Sequence, residues 1–254
     1  MPLIAALGMY DRPETQGAND RLWALLRDSL RDLGQDAPDA LTRGALTYMQ
    51  GWLSPDLLFS QTCSLPYRAK LAGSVQIIAT PNYGLQDCPA GHYRSVYVAR
   101  RADGYAALDD VAGLDFAYNE ALSHSGWAAP YSDHAARGLQ IRPSLRTGEH
   151  VASALAVATG RADYAALDAL TWEMIKAFDS FADRLEVIGA TPHSPALPFI
   201  TAKARDPAPI RAALDHAITA LPAPDRSTLH LAGLVHFPEP AYLSLPIPPA
   251  PADT

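Results

Sequence analysis

Residues 147–168, "TGEHVASALAVATGRADYAALD", combine a helical pattern with a strand-like one. The first part is predicted to form a helix that Thr147 caps and Gly160 ends, because threonine is a good N-cap and glycine a good C-terminal stop. The second part, "ADYAALD", is strand-like and leads directly into another helical stretch, "ALTWEMIKAF". Helix, strand and helix in succession are typical of an α/β protein.

The same alternation extends over the rest of the chain. The segment "NDRLWALLRDSLRDLG" places leucines 22, 26, 30 and 33 on one helical face, with Asn19 or Asp20 as N-cap and Gly34 as the stop. Short apolar or alternating runs predict strands on either side of it. These runs are "LIAALGM", "PDLLFSQT", "SVQIIATP", "HYRSVYVAR", "LDFAYN", "RLEVIGATP" and "LPFITAK".

The strands and helices group into two blocks, which predicts two α/β lobes joined by two crossings, near residues 100–104 and 187–191. We expect residues 1–100 plus 190–245 to form a discontinuous first lobe and residues 101–189 to form the second. The C-terminal residues 246–254 are proline-rich and are expected to form an extended or frayed tail.

Composition excludes several classes of function. The chain has 254 residues, 48% of them hydrophobic, and a net charge of −7, so it lacks the excess of basic residues that nucleic-acid binding needs. It contains no apolar run of about 18 residues, so no membrane insertion is expected. We expect a monomer that binds a small anion through local hydrogen-bond donors.

The N-terminus, "MPLIAALGMYDRPE", has no basic region and only a short apolar run, unlike a signal peptide. As written, the chain is expected to be cytoplasmic, or periplasmic if a leader was removed. Cys63 and Cys88 fit no zinc or CxxC redox motif. They form either a disulfide, in an oxidising compartment, or two separate thiols.

Polar residues mark three predicted strand-to-helix loops. In "SHSG", Ser123 and Ser125 can cap the next helix, and Gly126 lets the backbone approach a ligand closely. In "TGEH", His150 falls in the first helical turn, and "SQTCSLPY" forms the third such loop. Helix N-termini attract anions, and ligands of open α/β sheets bind at the carboxyl ends of strands. The alternative for each serine is a helix cap alone, and for His150 a satisfied histidine without a ligand role.

The residue patterns offer no catalytic centre. The chain contains no HExxH, GxSxG, P-loop or strand-linked GxGxxG motif, and its histidines lack metal-ligand spacing. Asp163 and Asp168 flank a strand-like segment, where a carboxylate is usually solvated or a helix cap. We therefore expect no catalytic residues, no metal site and no cofactor.

Several segments, in their order and spacing, resemble the substrate-binding proteins of phosphate, phosphite and phosphonate ABC transporters. They are "QTCSLPY", "TPNYG", "YRSVYVAR", "SHSG", "TGEHVASALAVATGRADYAALD" and "TPHSPALPFIT", and the resemblance spans residues 4–242. It implies a type 2 periplasmic-binding fold, in which two lobes close around a ligand about a two-segment hinge.

The resemblance also implies which residues bind the ligand. Ser123, Ser125 and Gly126 would hold its anionic head group, which His150 would also reach. His124 departs from the family pattern, and if it lies near the ligand, binding should strengthen as its imidazole becomes protonated near its usual pKa of roughly 6.5. The other implied wall residues are Tyr10, Gln61, Thr62, Tyr83 and Asp168, with Tyr93 the weakest.

The sequence thus favours a solute-binding protein that captures a small oxyanion, phosphonate or phosphate-like, for an ABC permease if it is exported. One alternative is an enzyme on the same fold, similar to the pyrimidine-forming proteins of thiamine biosynthesis, which carry a cysteine-rich motif that this chain lacks. Another is a cytoplasmic ligand sensor. A DNA-binding regulator would need a further segment or a basic patch.

Overall fold

The computed structural model describes residues 2–44 and 46–252, and its strands and helices alternate along the chain, which confirms the α/β class. The β-strands are β1 (Ile4–Ala6), β2 (Leu57–Gln61), β3 (Val75–Asn82), β4 (His92–Tyr93), β5 (Ser95–Arg100), β6 (Asp115–Tyr118), β7 (Arg142–Arg146), β8 (Tyr164–Asp168), β9 (Leu185–Ala190), β10 (Ser194–Pro195), β11 (Phe199–Ala202) and β12 (Gly233–Val235). The α-helices are α1 (Gln16–Asp32), α2 (Tyr48–Trp52), α3 (Ser64–Pro66), α4 (Ala129–Arg137), α5 (His150–Ala158), α6 (Ala169–Phe178), α7 (Pro207–Ala220), α8 (Ala223–Thr228) and α9 (Pro240–Leu243).

The chain divides into two compact units. Unit 1 comprises Met1–His92 and Pro195–Ser244, and unit 2 comprises Tyr93–Ser194 and Leu245–Thr254. The strands β4 and β10, at which the chain leaves and re-enters unit 1, pair with each other. The chain first passes from unit 1 to unit 2 after His92, earlier than the crossing expected at residues 100–104. The reason is that β5 pairs with β8 and β9 in the sheet of unit 2.

Unit 1 is built on a five-stranded sheet in the order β1-β2-β11-β3-β12. β1 runs parallel to β2, whereas β11 is antiparallel to both β2 and β3, and β12 is antiparallel to β3. The helices α1 and α7 pack together beside this sheet. On α1 the leucines 22, 26 and 30 are buried as the spacing predicts, but Leu33 lies beyond the end of the helix and is 55% exposed.

The two ends of α1 differ in how well the sequence predicts them. The helix begins at Gln16, so the prediction of Asn19 or Asp20 as N-cap is wrong. The Asn19 amide instead donates to Asp11 Oδ1 at 2.9 Å and ties the preceding loop to the helix. Gly34 is confirmed as the stop: its φ of 74° is left-handed, and the next N–H donates to the Leu30 carbonyl at 2.9 Å.

Unit 2 is built on a five-stranded sheet in the order β7-β6-β8-β5-β9. β6 is parallel to both β7 and β8, while β5 is antiparallel to β8 and β9. Aromatic side chains, among them Tyr97, Phe116, Trp127 and Tyr164, fill its core. Because β6 and β8 are parallel neighbours, the loops that follow them leave the same edge of the sheet.

The C-terminal segment is attached to unit 2. After Ser244 the chain passes out of unit 1, and the indole N–H of Trp127 donates to the Pro249 carbonyl at 2.8 Å. This contact anchors a segment that the sequence predicts to be extended or frayed. The last two residues of that expected tail, 253 and 254, lie outside the described residues.

The core of unit 1 yields a stability prediction. Tyr242 is fully buried, and its hydroxyl lies 2.6 Å from Thr80 Oγ1 and donates to the Ala196 carbonyl at 2.9 Å. Tyr242→Phe should lower the free energy of unfolding by about 1–3 kcal/mol, because it leaves buried partners unsatisfied. Equilibrium urea denaturation measures this loss. Tyr131→Phe, whose ring packs on Trp127, is the control, and equal losses in both variants would contradict the prediction.

Candidate functional site

The "SHSG" loop of unit 2 follows β6 and opens the next helical segment. Residues His124–Ala128 form a π-helical turn that continues into α4. Ser123 caps this turn, since its hydroxyl accepts a hydrogen bond from the Gly126 N–H at 3.0 Å. The predicted cap role of Ser123 is therefore correct, and main-chain N–H groups at the start of the turn form a local site of positive potential.

A hydrogen bond joins this loop to the second predicted loop. The Oγ atom of Ser125 lies 2.8 Å from Nε2 of His150, which is the first residue of α5. The Ser125 side chain is buried, and its main-chain carbonyl accepts a hydrogen bond from Ser95 Oγ at 2.8 Å. Ser95 thus holds the backbone of Ser125 in place, and His150 orients its hydroxyl.

Thr147 does not cap α5 as predicted. The N-cap position belongs to Glu149, and the Thr147 hydroxyl instead contacts Ser153 Oγ at 2.6 Å and donates to the Glu149 carbonyl at 3.0 Å. The predicted stop is correct, because Gly160 has a φ of 75° and directly follows Thr159, the C-cap of α5.

Asn119 is a structural member of the site that sequence reasoning missed. Its carbonyl accepts the Gly148 N–H at 2.9 Å, which ties the end of β6 to the loop before α5. A Cβ atom on Gly126 would lie 1.9 Å from Asn119 Oδ1 and 2.9 Å from Cγ. The Asn119 amide therefore fills the space beside Gly126, and this packing requires the glycine. No motif in the sequence signals this contact.

Burial controls the protonation of His150. Desolvation of the ring lowers the pKa of His150 to about 4, so the imidazole is neutral at neutral pH. A neutral imidazole has one donor and one acceptor nitrogen, so it pairs with the Ser125 hydroxyl without placing a charge in the site.

His124 and Asp168 make other contacts in unit 2. The Nε2 atom of His124 lies 3.0 Å from Ser194 Oγ, and its ring packs at 6.1 Å from that of Tyr93. Asp168 ends β8, is 2% exposed and accepts the Thr171 N–H at 3.0 Å as the cap of α6. Asp168 thus acts as a helix cap, one of the two roles expected for a carboxylate at a strand end. It lies at the edge of the sheet where β6 also ends.

The remaining predicted residues belong to unit 1, where three of them meet. The Gln61 amide donates to the Tyr83 hydroxyl at 2.6 Å and to the Leu197 carbonyl at 2.9 Å. The Tyr10 ring packs edge-on against Tyr83, with centroids 5.5 Å apart. Thr62 is buried, and its hydroxyl donates to the Cys63 carbonyl at 3.3 Å, so its side chain turns back to its own backbone.

Among residues 2–44 and 46–252, no group of three or more His, Cys, Asp or Glu side chains could hold a metal ion. Nor does this part of the chain include a helix long and apolar enough to cross a bilayer. The polar groups where the two loops meet are the hydroxyls of Ser123 and Ser125, the Asn119 amide, the His150 imidazole and main-chain N–H groups.

The packing of Asn119 on Gly126 predicts the effect of a small substitution. Gly126→Ala should lower the free energy of unfolding by about 1–3 kcal/mol, because the new methyl group must displace the Asn119 amide. The matched control is Gly17→Ala on α1, where a Cβ atom would meet only the end of the Arg21 side chain, at 3.5 Å. Urea denaturation of both variants tests the prediction. A loss no larger than that of the control would contradict it.

The lowered pKa of His150 predicts a pH dependence of stability. The unfolded imidazole takes up a proton near pH 6.5, whereas the folded one does so only near pH 4, so the free energy of unfolding falls as the pH drops through this interval. Relative to wild type, His150→Gln should lose this component, which amounts to about 3 kcal/mol. The measurement is urea denaturation between pH 4 and 7, with the exposed His216→Gln as control. Parallel curves for wild type and His150→Gln would refute the assignment.

Comparison with known proteins places the chain in a family. A family model for the periplasmic substrate-binding protein of phosphonate ABC transporters matches residues 56–240. No curated protein matches the chain by sequence.

Solved structures confirm the two-lobed type 2 periplasmic-binding fold. PhnD1 from Prochlorococcus marinus, in complex with methylphosphonate, has a TM-score of 0.71 at 17% identity, with 96% of each chain covered. A phosphonate transporter binding protein from Pseudomonas aeruginosa has a TM-score of 0.68 at 17% identity, over 96% of this chain and 84% of that one. The XAC2383 protein from Xanthomonas citri, bound to chloride, has a TM-score of 0.70 at 15% identity, over 94% and 92%. With the family model matching residues 56–240, the chain belongs to the periplasmic substrate-binding proteins of phosphonate ABC transporters.

Proposed function

We propose that this protein captures a small oxyanion, a phosphonate or a phosphate-like compound, and delivers it to an ABC permease without any chemical step. The observation that carries the proposal is the hydrogen bond between Ser125 and His150, because it brings a hydroxyl and an imidazole together where two helical segments begin. Helix N-termini favour anions, and a neutral pair of a hydroxyl and an imidazole suits a ligand that brings its own negative charge. Family membership supports the role of solute capture.

In this proposal the head group binds to the "SHSG" loop. The main-chain N–H groups of this turn donate to the anionic oxygens, and the hydroxyls of Ser123 and Ser125 contribute further hydrogen bonds. His150 donates from its neutral ring or orients the Ser125 hydroxyl, since the two lie 2.8 Å apart. Gly126 keeps the turn compact, with the Asn119 amide packed beside it.

Donors from unit 1 are needed as well, on energetic grounds. Three hydrogen bonds to a charged group contribute about 5–9 kcal/mol, and association costs at least about 4 kcal/mol. The remainder, at most about 5 kcal/mol, corresponds to a Kd of about 0.2 mM. We therefore propose that tighter binding uses the Tyr10, Gln61 and Tyr83 group. The hydrogen bond from Gln61 orients the Tyr83 hydroxyl, and the edge-on contact with Tyr10 fixes its ring.

The proposal predicts which ligands bind and which variant abolishes binding. A thermal-shift screen with phosphate, phosphite, sulfate, phosphonates and carboxylates should show a selective shift with a phosphorus oxyanion. Saturation at about 100 times Kd adds about 2.7 kcal/mol of stability. Ser125→Ala combined with His150→Ala should abolish this shift, because it removes both members of the central hydrogen bond.

The control for that variant is Ser227→Ala combined with His216→Ala, which changes an exposed serine and an exposed histidine of unit 1. Its ligand response should match that of wild type. Retained affinity in the Ser125→Ala, His150→Ala protein would overturn the site. A selective shift with a carboxylate would overturn the ligand class while leaving the fold in place.

A further inference from the structure

Asn119 lies between two loops of unit 2, the one that follows β6 and the one that follows β7. It is the first residue after β6, and its main-chain carbonyl accepts the Gly148 N–H at 2.9 Å. The carbonyl of the preceding residue, Tyr118, accepts the Thr147 N–H, also at 2.9 Å. The backbone of Asn119 is therefore held by the second loop, while its side chain meets the first loop at Gly126.

The side chain of Asn119 makes no hydrogen bond with any other described residue. Its Oδ1 atom is buried and unpaired, whereas the amide nitrogen is not buried. Buried polar atoms are normally paired, and an unpaired one lowers the stability of the fold. An apolar side chain at this position would avoid that penalty. Packing alone thus does not account for an amide at position 119.

The packing of Oδ1 determines which end of the Asn119 amide is available. A Cβ atom on Gly126 would lie 1.9 Å from Asn119 Oδ1 and 3.2 Å from Ser123 Oγ, so the two side chains converge on this glycine. The opposite orientation of the amide would press its two N–H donors against Gly126 and leave them without an acceptor. With Oδ1 packed inward, both N–H groups remain available to a ligand.

The Ser123 hydroxyl beside this amide also has an unused donor. Its Oγ atom accepts the Gly126 N–H at 3.0 Å, but its own proton has no acceptor within residues 2–44 and 46–252. The charged residue that follows Asn119 in the chain, Glu120, is paired with Arg146, whose Nε donates to it at 3.0 Å. Asn119 and Ser123 thus bring unpaired donors together at the start of the helical turn, and neither carries a charge.

We propose that Asn119 binds the ligand: its amide N–H groups donate, beside the Ser123 hydroxyl, to the oxygens of the captured oxyanion. This inference rests on the function proposed above. The oxygens of an anion accept such donors, and hydrogen bonds to a charged group are about twice as strong as those between neutral groups. A carboxylate of the same shape at position 119 would offer no donor and would repel the ligand. The amide therefore contributes both to affinity and to the selection of a negatively charged head group.

Isothermal titration with methylphosphonate and with inorganic phosphate tests this inference. Asn119→Ala removes the donors without adding a charge, and it should weaken binding at least about tenfold, the effect of one hydrogen bond to a charged group. Asn119→Asp keeps the shape of the side chain and should weaken binding further, because it also repels the anion. The control, Leu122→Asp, places a carboxylate at an exposed position of the same loop. It should stay within about threefold of wild type, since solvent and salt screen an exposed charge.

Thermal melting without ligand separates a binding role of Asn119 from a structural one. Because its amide makes no hydrogen bond in the folded protein, Asn119→Ala should melt close to the wild-type temperature. The matched control is Asn82→Ala in unit 1, where Oδ1 accepts the N–H groups of Gly84 at 3.2 Å and Gly91 at 3.3 Å. This variant should melt at a lower temperature, because it leaves those two groups without their partner.

Each unfavourable outcome has a distinct meaning. Wild-type affinity in Asn119→Ala, or an equal loss of affinity in Leu122→Asp and Asn119→Asp, would overturn the assignment of Asn119 alone. A melting temperature of Asn119→Ala as low as that of Asn82→Ala would make the role of the amide structural, and would also overturn it. If the wild-type protein binds neither methylphosphonate nor phosphate, the proposed function is overturned together with this inference.

Discussion

The hydrogen bond between Ser125 and His150 is the contact on which the arrangement of the loops after β6 and β7 depends. It joins the helical turn after β6 to the first residue of α5, and the Asn119 carbonyl braces the same two segments through Gly148. Because the pKa of His150 is lowered to about 4, the bond connects two neutral groups. The Ser125–His150 pair thus presents oriented groups without a charge of its own that a bound anion would have to displace.

Much of this architecture can be predicted from the sequence because it depends on the chemistry of neighbouring residues. The alternation of apolar runs and helical segments gives the α/β class, and Gly34 and Gly160 end their helices as expected, since a left-handed residue favours glycine wherever it occurs. The clustering of Ser123, Ser125 and His150 also follows from pattern, because parallel strands bring successive loops to one edge.

The features that escape sequence reasoning depend on contacts between distant segments. Asn119 beside Gly126 and Tyr48 beside Gly8 are pairs in which a side chain occupies the place of a missing Cβ atom, and neither belongs to a motif. The start of α1 is misjudged for the same reason: Asn19 has the chemistry of a cap, but Asp11 engages its amide. Tertiary partners decide the role of such residues, and local propensity only limits the choices.

The position of β11 determines when the sheet of unit 1 can form during synthesis. This strand lies between β2 and β3, yet it leaves the ribosome more than a hundred residues after them. Until then, β2 and β3 each lack a neighbour and expose unpaired backbone edges, whereas the five strands of unit 2 are already complete by Ala190. The nascent chain therefore carries a complete sheet of the second unit while the sheet of its first unit remains open. This order of assembly extends the period in which the unfolded polypeptide can pass through a narrow pore, be bound by a chaperone or form incorrect strand pairs.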